Sequence, residues 1–178
     1  TFGASVTAQW TTGISTAKEL ASAMAYGKML YRDPTFTKGN NSMGVYNNTG
    51  NGLVSLTRMA DSTAPNGSGY VIKIQTTGTA TPGNGGFLFG TTCSNRKVFV
   101  TRIIAKIPVG HNIQFATNSI GTGGSSRWLT ANAGTGDWCE YIYKVVCGTA
   151  NFSSTHYYYR DGTQGTSDAP VVWQVAYA

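Results

Sequence analysis

Short apolar runs alternate with clusters of Gly, Asn, Ser and Thr from Pro34 to the end of the chain. In YVIKIQT, the residues Tyr70, Ile72 and Ile74 fall on one face of an extended chain and the residues between them fall on the other. Ten runs of this kind are expected to form strands: MGVYNN, LVSLTRMA, YVIKIQTTG, GFLFGTT, KVFVTRIIAKI, NIQFATN, RWLTANA, DWCEYIYKVVCG, THYYYRDG and VVWQVAYA. Turn signals such as APNGSG and TPGNGG separate them roughly every 10 to 15 residues, a spacing typical of antiparallel sandwiches. The pattern predicts an all-β, jelly-roll-like β-sandwich.

One segment before Pro34 has the pattern of a helix instead. Ser15 or Thr16 can serve as its N-cap, Ala-rich helix formers follow, and Pro34 ends it. The sequence therefore predicts an N-terminal segment, residues 1–33, with a helix over about residues 14–30, and a β-sandwich domain over residues 34–178. The apolar stripe of the helix is narrow. It packs either on its own domain or against copies of itself around a symmetry axis, which would make residues 1–33 a stalk-proximal trimerisation segment.

Charge is sparse, because only 11% of the residues are charged against roughly a quarter in an average globular protein. The net charge is +6, but the basic residues are scattered and form no stripe, so we expect no nucleic-acid partner. The most apolar run, VFVTRIIAKIPV, is too short for a membrane span and carries Arg102 and Lys106, so we expect no membrane insertion. The chain begins at Thr1 and ends on a strand-like run, which suggests a piece of a longer protein.

The three cysteines are expected to be reduced thiols of a protein made in a reducing cytoplasm. Cys139 and Cys147 flank a predicted strand, and eight residues of strand span about 26 Å, well beyond disulfide reach. Cys93 could meet either one. No CxxC spacing occurs and the two histidines stand apart, so we expect neither a metal site nor a cofactor.

The segment RWLTANAGTGDW holds the first candidate ligand-binding patch. Sugar sites combine an aromatic face with a few amide, carboxylate or guanidinium groups on a rigid scaffold, and loops at the end of a sandwich often carry them. The alternative for each tryptophan is a place in the core at the start of a strand. The candidate glycan-binding residues are Arg127, Trp128, Asn132, Asp137 and Trp138.

The stretch HYYYRDG holds the second candidate patch. Side chains alternate along a strand, so the first and third tyrosines share one face while His156, Tyr158 and Arg160 share the other. We expect the second set to face outwards and Asp161–Gly162 to form the turn that ends the strand. The favoured alternative for each individual tyrosine is a structural role.

Catalysis is not expected. Glycoside hydrolysis needs two carboxyl groups about 5 to 10 Å apart. Among seven acidic residues, Asp137 and Glu140 are the one close pair, and on a regular strand they point to opposite faces. No G-x-S-x-G motif occurs, and neither histidine has an evident Ser or Cys partner.

From about Gly27 to its end, the chain resembles one family in the order of its motifs: GKMLYRDPTF, VYNN, GGFLFG, AKIPVGHNI, RWLT, GTGDWCEYIYKVVCG, FSS, YYYRDG and VVWQVAYA. The family is the C-terminal domain of bacteriophage tail-fibre or tail-spike proteins, those of crAss-like phages of gut bacteria among them. The resemblance implies a carbohydrate-binding-module-like jelly roll at the tip of a homotrimeric fibre. It would be part of the virion, assembled in the host cytoplasm and acting outside the cell on a host-surface polysaccharide. Two alternatives stay open: a trimerisation or capping domain without a ligand, and a free-standing bacterial carbohydrate-binding module or lectin.

Overall fold

The computed structural model describes residues 7–10, 33–40, 43–46, 53–76, 86–93, 98–117, 132–148, 152–162 and 170–177. Within these ranges the chain forms the strands β1 (Thr7–Trp10), β2 (Gly44–Tyr46), β3 (Leu53–Ala60), β4 (Tyr70–Thr76), β5 (Gly86–Cys93), β6 (Val98–Lys106), β7 (His111–Thr117), β8 (Asn132–Ala133), β9 (Trp138–Val146), β10 (Phe152–Gly162) and β11 (Val171–Tyr177). Each predicted run overlaps one of β2 to β11, so the prediction of an all-β fold with antiparallel sheets is confirmed for the described residues. The described residues include no helix, and the helix predicted over residues 14–30 lies outside them.

The strands belong to two sheets. The six-stranded sheet has the order β1-β9-β6-β11-β4-β3, and the five-stranded sheet has the order β2-β5-β10-β7-β8. The pairings of β2 to β11 are antiparallel, whereas β1 pairs with β9 in parallel. Residues 7–10 of the predicted N-terminal segment are therefore a strand of the six-stranded sheet, which the sequence pattern did not indicate.

Four antiparallel pairs are nested along the chain: β7 with β8, β6 with β9, β5 with β10 and β4 with β11. In chain order, β8, β9, β10 and β11 thus pair with β7, β6, β5 and β4, which is the reverse order of the earlier strands. From β4 to β7, and again from β8 to β11, successive strands alternate between the five-stranded and the six-stranded sheet. Each sheet therefore contains two of the nested pairs.

The main core cluster draws its side chains from both sheets. Trp173 of β11 and Phe87 of β5 are almost fully buried, and their ring centroids lie 6.0 Å apart. The same cluster includes Phe36, Met43, Ile72, Ile74, Phe89, Ile103, Ala105, Ile107, Ile113, Cys139, Tyr141, Tyr143 and Val175. Ile72 and Ile74 lie in this cluster with Tyr70 packed against it, as the alternation in YVIKIQT predicts.

A second cluster lies on the opposite, outer face of the six-stranded sheet. Its buried members are Val71, Ile104, Trp138 and Ala176. They alternate along their strands with members of the main core, and Ala64, in the turn between β3 and β4, packs against them. This part of the sheet is therefore buried on both faces.

The turn at residues 33–39 is organised by one carboxylate. Asp33 accepts hydrogen bonds from the N–H groups of Thr37 (2.9 Å), Lys38 (2.6 Å) and Gly39 (3.1 Å), and from the Thr37 hydroxyl. Partial burial alone would raise the pKa of Asp33, but these hydrogen bonds outweigh it and lower the pKa below its ordinary value. Inside the turn, Phe36 has a φ of 59° and a fully buried side chain. The turn thus directs an aromatic side chain into the core.

Two expectations from the sequence are wrong. Cys147 is disulfide-bonded, whereas we expected three reduced thiols; the distance along β9 argued only against a bond to Cys139, which is a buried thiol. Asp161 and Gly162 are not a turn but the end of β10, where they pair with Asn112 and with His111 of β7. Long-range pairing with β7 extends the strand past a local turn signal.

Candidate ligand-binding groove

An open groove of about 330 Å³ lies at one end of the six-stranded sheet. Its lining comes from three separate parts of the chain: Lys106, Pro108 and Val109; Gly136; and Val172, Trp173 and Gln174. Lys106, Val172 and Gln174 alternate with core residues of β6 and β11, so their side chains lie on the outer face of the sheet. The volume is at the lower end of the range of small-ligand pockets, about 300–1,000 Å³.

One wall of the groove is the glycine-rich loop between β8 and β9, the end of the segment RWLTANAGTGDW. Gly134 donates its N–H to the carbonyl of His111 (2.7 Å), and Gly136 donates its N–H to the carbonyl of Ile107 (2.9 Å). A Cβ at position 134 would collide with the carbonyl oxygens of Pro108 and Ile107. The loop is therefore fastened directly onto the β6–β7 turn, an approach that only glycine permits at position 134.

Polar groups lie beside the groove in a defined network. Gln174 donates from Nε2 to Oδ2 of Asp61 (3.1 Å), and Asp61 also accepts hydrogen bonds from the N–H (2.8 Å) and hydroxyl (2.6 Å) of Thr63. The hydrogen bond from the Thr63 hydroxyl lowers the pKa of Asp61 most; partial burial opposes it, while Gln174 and the positive charge of Lys106 lower the pKa further. Asp61 is thus held as a carboxylate close to Lys106.

The apolar part of the groove is exposed. Val109 is 74% exposed and Val172 is 40% exposed, and both lie next to the polar side chains of Lys106 and Gln174. An apolar surface bordered by amide and ammonium groups suits a ligand with one apolar face and several polar substituents. A pyranose ring has this character.

The first predicted patch is only partly within the described residues. Arg127 and Trp128 lie outside them. Asn132 is in β8, where its backbone pairs with Ile113, and its side chain is not among those described. Asp137 is exposed and directly follows the groove residue Gly136.

Among the patch residues whose side chains the structure describes, Trp138 is the one whose location argues against ligand contact. It is only 4% exposed and belongs to the cluster on the outer face of the six-stranded sheet. A ring buried to this extent has no face to offer a sugar. Its role is the alternative that the sequence left open, a tryptophan packed at the start of a strand.

The second predicted patch lies on β10. The backbones of His156, Tyr158 and Arg160 are part of this strand, so the expected strand is present. Their opposite residues are Phe89, Phe87 and Ile113, which are buried. The side chains of residues 152–162 are not among those described, and the expectation that this set faces outwards stays a prediction.

The acidic pair considered for catalysis is divided between two environments. Glu140 forms an ion pair with Arg102 of β6, while Asp137 is exposed in the loop before β9. Among the described residues, no group of three or more His, Cys, Asp and Glu side chains is placed to hold a metal ion. The described residues also contain no helix long and apolar enough to cross a membrane.

Comparisons with known protein families and with curated protein sequences find no match to this chain.

Sequence reasoning missed Lys106, Val172 and Gln174 as groove residues, and it missed Asp61, which binds Gln174 beside the groove. One signal was present, since Lys106 and Gln174 are polar residues inside otherwise apolar runs, IIAKIPVG and VVWQVAYA. Their convergence depends on the pairing of β6 with β11, which places Lys106 opposite Gln174. No spacing within either run reveals that pairing.

Proposed function

We propose that this chain is a non-catalytic carbohydrate-binding domain with the topology of a jelly roll. The four nested antiparallel pairs, β4–β11 to β7–β8, support the jelly-roll assignment, because a long hairpin rolled into two sheets produces this order. Such sandwiches offer sheet faces and end loops as rigid sites for ligands.

The groove on the outer face of the six-stranded sheet is the observation that carries the proposal. It combines exposed valines, Val109 and Val172, with the amide of Gln174 and the ammonium of Lys106. The valines contact the apolar face of a sugar ring, and the polar groups bind its substituents. The ion pair of Glu140 with Arg102 supports the non-catalytic part of the proposal. A general acid must be protonated, whereas the carboxylate of Glu140, one of the two acidic residues in the Asp137–Glu140 pair, is bound to Arg102.

We further propose that the domain acts at the tip of a homotrimeric phage tail fibre and binds a host-surface polysaccharide. The order of motifs that resembles tail-fibre domains supports this setting. A single shallow groove is expected to bind weakly, at about millimolar Kd, or roughly 4 kcal/mol. Three copies on one fibre raise the avidity by about 10² to 10⁴ when their spacing matches the glycan.

The test is binding of the purified domain to host-surface polysaccharides and to a glycan array. Gln174→Ala and Val109→Ser are expected to weaken binding several-fold. Val98→Ser is the matched control, because Val98 is an exposed valine at the far end of β6. Folding of each variant is checked by its thermal unfolding midpoint.

Each alternative predicts a different outcome. If the groove variants fold and bind as well as the unaltered domain, the glycan-binding site lies elsewhere in the domain. No binding to any glycan would favour a ligand-free trimerisation or capping domain. A monomer in sedimentation equilibrium would contradict the trimer and favour a free-standing binding module, and release of reducing ends from the polysaccharide would contradict the non-catalytic assignment.

A further inference from the structure

Two lysines flank Gln174 on the outer face of the six-stranded sheet. Lys106 lies opposite Gln174 in the β6–β11 pair, and Lys73 lies opposite it in the β4–β11 pair. Directly opposite residues on neighbouring strands share one face of a sheet, so the three side chains form a row across it. Because neighbouring strands are about 4.8 Å apart, the two lysine Cα atoms are roughly 10 Å apart.

The polar groups of this row that remain available to bind a ligand are mainly hydrogen-bond donors. The carboxylate of Asp61 already accepts hydrogen bonds from Thr63 and from the amide nitrogen of Gln174. Among the described residues, the one ion pair joins Arg102 to Glu140. Lys73 and Lys106 form no ion pair with a described carboxylate, although Asp61 lies near enough to Lys106 for their charges to interact. Two ammonium groups therefore face the ligand side of the sheet with their hydrogen-bonding capacity unused by other described side chains.

We propose that this row binds an acidic polysaccharide, with one carboxylate of the glycan at Lys106 in the groove and another at Lys73. The inference rests on the proposed carbohydrate-binding function and specifies its ligand class. A separation of roughly 10 Å between the lysines is comparable to the length of two linked pyranose rings. The geometry thus fits a polymer in which every second sugar is a uronic acid or another acidic sugar.

The net charge of the chain also favours binding of an acidic polymer. A net charge of +6 attracts a polyanion over distances beyond direct contact. Salt screens that long-range attraction, and the attraction does not fix where the carboxylates of the polymer lie on the protein. Recognition of regularly spaced carboxylates requires cations at a set spacing, and the pairing of β4, β11 and β6 sets the spacing of Lys73 and Lys106.

The test compares uronic-acid polysaccharides with the same polymers after chemical reduction of their carboxyl groups to neutral alcohols. Binding of the intact domain is measured by biolayer interferometry at low and at high salt. The domain is expected to bind at least one acidic polymer and to lose most of that binding when the polymer is carboxyl-reduced. Lys73→Gln and Lys106→Gln are each expected to weaken binding about two- to fivefold, as expected for partly exposed ion pairs.

Lys38→Gln is the matched control. Lys38 is an exposed lysine in the turn at residues 33–39, and this variant makes the same change in net charge. Equal binding of acidic and reduced polymers would overturn the inference and leave the proposed function intact. A loss with Lys38→Gln equal to that of the other two variants would show attraction to net charge alone and would also overturn it. Binding of none of the polymers, acidic or neutral, would overturn the proposed function and the inference together.

Discussion

Trp138 of β9 and Lys106 of β6 lie directly opposite each other, yet only Lys106 lines the groove. Trp138 packs under neighbouring side chains and is 4% exposed. The buried cluster on the outer face of the six-stranded sheet therefore ends at Trp138, and the open groove begins at Lys106, the residue directly opposite it.

This burial predicts the effect of changing Trp138. Trp138→Ala is expected to lower the free energy of unfolding by about 3–5 kcal/mol, because it opens a cavity in a packed cluster. Trp138→Phe is expected to cost much less, since it retains an aromatic ring and removes an indole N–H that finds no hydrogen-bond partner among the described residues. Urea denaturation followed by circular dichroism gives both values. If Trp138→Ala left stability unchanged and abolished glycan binding, Trp138 would be a ligand contact after all.

The disulfide of Cys147 predicts sensitivity to reductant. Removing a native disulfide typically costs about 2–5 kcal/mol, so the thermal unfolding midpoint should fall in dithiothreitol, and Cys147→Ser should show the same fall without reductant. Non-reducing peptide mapping is expected to find the Cys147 peptide joined to the peptide of Cys93, the third cysteine of the sequence. Cys139 should be alkylated only after denaturation, because it is buried. Alkylation of all three cysteines in unreduced protein would contradict this assignment.

The lowered pKa values of Asp33 and Asp61 predict a loss of stability in acid. Both carboxylates have a lower pKa in the folded chain than the ordinary value of 3.8. Their contribution to stability is complete above that value and is lost as the pH falls through the folded-state pKa. The unfolding midpoint should therefore decline as the pH is lowered below about 4, and Asp61→Asn should make the decline shallower. Asp137→Asn is the control, since Asp137 is exposed; an equal effect of both variants would rule out the Asp61 network as the cause.

The sequence predicts local features of this fold better than distant ones. The positions of β2 to β11 follow from apolar runs and turn residues, because alternation and turn chemistry act within a few residues. The nested order of the strands and the disulfide of Cys147 depend on contacts between segments far apart in the chain. Asp161 illustrates the difference, since its local context predicts a turn while pairing with Asn112 keeps it in β10.

For the candidate site too, the sequence predicts the local element but not the contacts between distant segments. The sequence predicts a ligand-binding role for the glycine-rich loop before β9, and Gly136 of this loop lines the candidate groove. The sequence does not identify Asp61 and Gln174 as polar groups of the candidate site. They are 113 residues apart in the chain, and a side-chain hydrogen bond joins them in the folded structure. Trp138 was one candidate for ligand contact, with a place in the core as the alternative. The sequence could not decide between them, because an aromatic residue at the start of a strand gives the same local pattern whether it faces the core or a ligand.

Gly134 links the loop to the groove and provides the last prediction. A Cβ at this position would meet the carbonyl oxygens of Pro108 and Ile107, which are backbone atoms and cannot rotate away. Gly134→Ala is therefore expected to displace the loop, to cost about 1–3 kcal/mol of stability as overpacking does, and to weaken glycan binding. Gly39→Ala is the matched control, since a Cβ at position 39 meets no atom within 4 Å; it should leave binding unchanged and stability equal or higher by up to about 1 kcal/mol. Unfolding midpoints and binding isotherms of the two variants, measured side by side, test this. If Gly134→Ala loses stability and retains full binding, the loop before β9 holds the fold together but forms no part of the ligand site, and the site then depends on Lys106, Val172 and Gln174 alone.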